Sequence, residues 1–89
     1  MNKQTNTVID TTVSRPTLRE SVSYALNQYF ENLEGQEPQE IYDMVMHEVE
    51  EPMLKAVMEF TRNNQSRAAT IMGLNRGTLR KKLKQFDML

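Results

Sequence analysis

The stretch Asn63-Asn64-Gln65-Ser66-Arg67-Ala68-Ala69-Thr70-Ile71-Met72-Gly73-Leu74-Asn75-Arg76-Gly77-Thr78-Leu79-Arg80-Lys81-Lys82-Leu83-Lys84-Gln85-Phe86 decides how this chain folds. Asn63 and Asn64 are helix-capping residues, because a short polar side chain can accept from the free N–H groups of a first turn. The helix they open is expected to carry Ala68, Ala69, Ile71 and Met72 inward, with the two alanines small where two helices approach closely. Gly73 supplies a positive-φ turn, Leu74 plugs the angle between helices, and Asn75 caps the next helix. In that second helix Leu79, Leu83 and Phe86 recur at spacings of four and three and form an inner face. Arg76, Thr78, Arg80, Lys81, Lys82 and Lys84 fall on the other faces. Two helices joined by a short Gly-containing turn, the second one basic on its free side, form the helix-turn-helix pattern.

Upstream, Thr17-Leu18-Arg19-Glu20 is a capping box, which starts a first helix over about residues 18–34 with the stripe Leu18, Val22, Ala25, Leu26, Tyr29, Phe30 and Leu33. Gly35 and Pro38 close it. A second helix is expected to open near Pro38, with Ile41, Met44, Val45, Val49, Met53, Ala56, Val57 and Phe60 as its stripe. Tyr42, Met46, Leu54 and Met58 widen that stripe, so the helix must cover more than one neighbour, part of it a second copy of the chain. Pro52 is expected to kink this helix rather than end it, since the apolar spacing runs through. The fold class is therefore all-α: four helices per chain, a dimer core and a C-terminal helix-turn-helix. The organisation is a polar arm over residues 1–16, dimerisation helices over 17–61 and a DNA-binding unit over 62–89. The arm has room for short extended stretches around Val8-Ile9 and Thr11-Thr12-Val13.

Charge separates along the chain in the same way. The formal net charge of the 89 residues is −1, yet residues 1–60 hold four Lys and Arg against eleven Asp and Glu, which gives −7. Residues 61–89 hold seven against Asp87 alone, which gives +6. A basic end on an acidic body is the composition of a polyanion-binding protein. With no cysteine there is neither a disulfide framework nor a thiolate metal site. The polar N-terminus and the lack of any apolar run near ~18 residues point to a soluble intracellular chain.

Roles follow from position. Asn75 and Arg76 stand at the start of the second helix, where a recognition helix meets base edges; Arg can fork onto guanine and Asn can pair with adenine. Asn64, Ser66 and Thr78 lie at helix starts and can donate to phosphates beside the backbone N–H groups. Arg80, Lys81 and Lys82 neutralise phosphates, with Lys84 as a further cation, so affinity should fall steeply with salt. Catalysis is not expected: His47 is the sole histidine, and no cofactor or metal site suggests itself. The acidic run Glu48, Glu50 and Glu51 reads as a solvated helix face rather than a metal or acid–base site.

From Asn64 through Lys84 the chain closely resembles the family of the bacterial factor for inversion stimulation, Fis. The similarity continues upstream through Leu18-Arg19-Glu20-Ser21-Val22, Tyr29-Phe30 and Val49-Glu50-Glu51-Pro52-Met53-Leu54, covering roughly residues 16–89. The resemblance implies an intertwined homodimer that bends double-stranded DNA, with loose specificity favouring A·T-rich centres. It further implies a nucleoid-associated, cytoplasmic regulator of transcription. DNA-contact roles then fall on Asn64, Ser66, Asn75, Arg76, Thr78, Arg80, Lys81 and Lys82. Contact with RNA polymerase is assigned to the region of Arg62, Gln65 and Arg67. In the family a mobile N-terminal hairpin touches a DNA invertase and stimulates recombination. The arm here is short, only Asp10 and Val13 suggest a hairpin, and the terminus Gln85-Phe86-Asp87-Met88-Leu89 lacks the family's usual further Lys and Gly. Two alternatives share the pattern: a stand-alone NtrC-type output domain, and an interaction module whose basic end binds acidic protein. The turn at Gly73-Leu74-Asn75 followed by Arg76 argues for DNA.

This reading separates base contacts from phosphate contacts. Arg76→Ala is expected to abolish sequence-specific binding, and Lys82→Ala to weaken specific and random duplexes alike; equal losses on both duplexes for both variants would refute that division.

Overall fold

The computed structural model describes residues 14–89, so the expected extended stretches and the hairpin residues Asp10 and Val13 lie outside it. Four helices follow in order: α1 (Leu18–Glu31), α2 (Ile41–Phe60), α3 (Gln65–Met72) and α4 (Arg76–Gln85). There is no strand among the described residues. Two compact units divide the chain, one ending at Gln39 and one spanning Glu40–Leu89.

In the first unit α1 starts on the capping box read from the sequence. Thr17 N–H donates to Glu20 Oε1 at 2.8 Å, and Glu20 N–H donates to Thr17 Oγ1 at 3.1 Å. The helix stops at Glu31, earlier than the expected residue 34. Glu34 and Gly35 both have positive φ, 53° and 84°, and Gln36 N–H closes a turn onto Leu33 O at 3.0 Å. A left-handed non-glycine residue leaves no compositional mark, which is why the end could not be placed from the sequence.

The second unit is a helix-turn-helix packed on α2. Its first helix opens at Ile41, not near Pro38, because Glu40 sits at φ 53° and breaks any earlier helical turn. The first helical bond runs from Met44 N–H to Glu40 O at 3.1 Å. As expected, α2 continues through Pro52 to Phe60. The core is Leu54, Met58, Ala68, Ala69, Leu79 and Leu83, with Val57, Met72, Phe86 and Met88 packed against it. Leu54, Ala68, Leu79 and Leu83 have no exposure at all. Thus α2 shares one core with the two helices that follow it. It does so through Leu54 and Met58, residues that the stripe count placed at its margin.

One device ends three helices in this unit. An N–H two or three residues past the helix reaches back to a carbonyl five positions earlier: Asn63 to Met58 at 2.8 Å, Leu74 to Ala69 at 2.9 Å, Met88 to Leu83 at 2.8 Å. Such a bond requires a left-handed residue just before the donor. Those residues are Arg62 at φ 54°, Gly73 at φ 71° and Asp87 at φ 57°. Only the middle one is glycine, so two helix ends hold a side chain in a conformation that costs roughly 1–2 kcal/mol for most residues. A Cβ added at Gly73 would meet nothing within 4 Å, so its requirement for glycine is conformational, not steric.

Gly73→Ala is expected to lower stability by about 1 kcal/mol through strain alone, and Asp87→Gly to raise it by roughly 0.5–1 kcal/mol by relieving strain and removing an anion from a helix C-terminus. Chemical denaturation of both variants checks the signs.

Candidate nucleic-acid interface

The interface is built outward from Leu79 and Leu83. These two side chains are one turn apart on α4 and both point into the core, which turns the remaining positions of the helix outward. Arg76, Gly77, Thr78, Arg80, Lys81 and Lys84 are all exposed. Four of those six carry a positive charge, and no acidic residue lies within α4. The small side chains of Ala68 and Ala69 let α3 come close behind, so the two helices of the motif form one rigid edge.

Both caps expected from the sequence are formed. Asn64 Oδ1 accepts from Arg67 N–H at 3.0 Å at the start of α3, and Asn75 Oδ1 accepts from Gly77 N–H at 2.8 Å at the start of α4. Each cap occupies the oxygen of its carboxamide and leaves the amide N–H₂ as donor. Gly77 was not singled out by the sequence reading, yet a Cβ there would stand 3.2 Å from Asn75 Oδ1. Its missing side chain gives the cap room and keeps the first turn of α4 low. Ser66 is exposed in the first turn of α3, and its carbonyl accepts from Thr70 Oγ1 at 3.1 Å.

The cations divide into three kinds. Arg76, Lys81 and Lys84 are exposed and make no salt bridge among the described residues. Arg80 is exposed but tethered: its Nη1 donates to Gln65 Oε1 at 2.7 Å. Lys82 is the departure, for its Nζ lies 2.7 Å from Glu50 Oε2 and the pair is part-buried, 29% and 13% exposed at the side chains. The sequence reading gave Lys82 to a phosphate and Glu50 to a solvated face; instead the two join α4 to α2 across 32 positions. Of the cluster read as one acidic face, only Glu51 pairs in the local manner, with Lys55 at 3.6 Å.

Other residues settle around this edge. Arg67 holds its guanidinium 5.1 Å above the Phe60 ring, a cation–π contact on the far end of α2. Arg62 is exposed in the α2–α3 turn, and Gln65 is half-buried. The His47 and Phe86 rings meet at 4.7 Å, anchoring the end of α4 on α2. Ile71, expected inside, is 48% exposed. It lines an apolar groove with Met53, Leu54, Val57, Met72 and Leu74, with Glu50 and Lys82 at its rim. The inner face of α3 is filled by its alanines, and the larger Ile71 falls at the groove instead.

Comparison with known proteins agrees with this geometry. The family model described as bacterial regulatory protein, Fis family, matches residues 45–86, which contain most of α2 and the whole of α3 and α4. A second model, described as DNA-binding protein Fis N-terminal domain, matches residues 1–38. The DNA-binding protein Fis of Glaesserella parasuis is 58% identical over 76 residues, which span 85% of this chain and 76% of the relative.

The chain belongs to the Fis family.

The Fis proteins of Tolumonas auensis and Escherichia coli are 59% and 54% identical over the same length, covering 76% and 78% of their chains. The N-terminal Fis model reaches residue 1, further up the chain than the resemblance read from the sequence, which began near residue 16. No helix of the described residues is long and apolar enough to cross a membrane.

The two acidic residues one position apart should respond differently. Glu50→Ala, which strands a half-buried ammonium, is expected to cost about 1–3 kcal/mol. Glu51→Ala, which breaks an exposed helical pair, should cost no more than roughly 0.5 kcal/mol. Thermal melts of the two variants in one buffer compare them directly.

Proposed function

We propose that this chain is a homodimeric DNA-binding protein that bends the duplex it grips and serves as a nucleoid-associated regulator of transcription. The observation that carries the reading is the division of α4: leucines buried on one side and Arg76, Arg80, Lys81 and Lys84 exposed on the other. A helix so divided, held by a glycine turn against a second helix, suits the major groove, with base edges at its start and phosphates along its flanks. The printed names of the relatives, DNA-binding protein Fis, support the same partner. Arg76 and Asn75 take the base edges. Asn64, Ser66, Thr78, Arg80, Lys81 and Lys84 take phosphates, while Lys82 keeps α4 on α2, so the uniform loss on specific and random duplexes expected above of Lys82→Ala passes to Lys81→Ala.

Dimerisation is supported by apolar surface left over in one chain. No residue of α1 is buried. Leu18, Tyr24 and Phe30 are 67%, 68% and 45% exposed, and Met53 and Ile71 stand open at 41% and 48%. A chain of this size gains stability by covering such surface with a second copy. Bending and a preference for A·T-rich centres follow from the family, where two recognition helices closer together than successive grooves force the duplex to curve. Contact with RNA polymerase through the region of Arg62, Gln65 and Arg67 belongs to the same proposal. Stimulation of a DNA invertase falls on residues 1–13, outside the described structure.

The test is a set of equal-length duplexes carrying one site at the middle or near an end, followed by gel mobility at two salt concentrations. Position-dependent mobility is expected, with affinity falling by about a thousandfold or more between 50 and 200 mM salt for a dimer. Sedimentation at equilibrium should give twice the chain mass. Absence of binding at low salt would remove the DNA reading and favour an interaction module.

A further inference from the structure

We infer that Gln65 is a positioning residue for the duplex: it holds the Arg80 guanidinium ready for a phosphate without cancelling its charge. The inference rests on the DNA-binding reading above and names a part of the same site. Gln65 opens α3, and Arg80 lies on the outward side of α4. Their side chains meet at 2.7 Å across fifteen positions, Nη1 donating to Oε1. This hydrogen bond joins the two helices of the motif on the side away from the core, where the exposed cations stand.

The chemistry of the acceptor matters. Two cations of α4 are tied to another helix, and they are tied differently. Lys82 meets the carboxylate of Glu50, an anion that neutralises it and draws it from solvent. Arg80 meets a neutral carboxamide and stays exposed. A guanidinium has five N–H donors in a planar fork, so one bond to Gln65 leaves four for a phosphate and keeps the full positive charge. Immobilising a long, free arginine on binding carries an entropy cost, which Gln65 meets in advance by fixing the side chain in the unbound protein. Gln65 is itself half-buried in the first turn of α3, so its own side chain is restrained before DNA arrives.

The test is a double-mutant cycle on the full chain, using Gln65→Met, Arg80→Ala and the double variant. Methionine keeps the length and helix preference of glutamine and removes its carboxamide, the oxygen that accepts from Arg80 together with the N–H₂ donor. Binding to a labelled random-sequence duplex is read by fluorescence anisotropy, with thermal melts confirming that each variant folds. Gln65→Met is expected to weaken binding about three- to tenfold, the range for immobilising one rotamer-rich side chain. In the Arg80→Ala background the same substitution should have no further effect, because the group it positions is gone. A purely structural role for Gln65 would give the same loss in both backgrounds and would overturn the inference. So would wild-type affinity in Gln65→Met. If the unaltered protein binds no duplex at low salt, the DNA reading falls and takes this inference with it; binding by the unaltered protein with an indifferent Gln65→Met removes the inference alone.

Discussion

The basic face of this protein is placed by the burial of two leucines. Leu79 and Leu83 lie one turn apart on a ten-residue helix that otherwise consists almost wholly of charged and polar residues. They are its main anchor in the core, and they fix the rotation of α4 about its own axis. Rotating the helix by one residue would bring Arg80 and Lys84 inward, where an unpaired charge is prohibitive. The same constraint that buries the leucines therefore presents the cations. Truncating either leucine should cost 2–5 kcal/mol by the usual range for core leucines, roughly, and such a loss would loosen the binding face as well as the fold.

The supporting parts serve that rotation. Ala68 and Ala69 bring α3 close, Gly73 sets the angle through its left-handed backbone, and Leu54 and Met58 supply the floor from α2. The Glu50–Lys82 pair and the tilted His47–Phe86 ring contact then pin the later turns of α4 to α2, one helical turn apart on the same face. The motif is thus less a free pair of helices than a cap on α2, held along its length from His47 to Met58. Any partner that holds α2 also sets where the basic face points.

Much of this was legible in the sequence because it is written locally. Asn64 and Asn75 announce caps, Gly73 a turn, and Leu79 and Leu83 an inner face, each through a spacing of four residues or fewer. The capping box at Thr17 and Glu20 formed as read. What was not legible depends on distant partners or on backbone strain. Lys82 looks like one more cation of a basic run until Glu50, 32 positions away, is seen beside it. Gln65 looks like a solvent-facing first-turn residue until Arg80 meets it. The C-terminal end of α1 and the start of α2 were misplaced because Glu34 and Glu40 adopt positive φ without being glycine or asparagine. Ile71 was assigned inward because hydrophobicity alone cannot tell a core position from an uncovered groove.

The most direct measurement is the titration of isotopically labelled protein with a short duplex, following backbone amide chemical shifts residue by residue. The account predicts that shifts concentrate at the starts of α3 and α4 and along the exposed side of α4, at Asn64 to Arg67 and at Asn75 to Lys84. The α1 amides should stay in place. Shifts gathered on α1 or around the Met53–Ile71 groove, with the amides of Arg76 to Lys81 unmoved at saturating duplex, would contradict it.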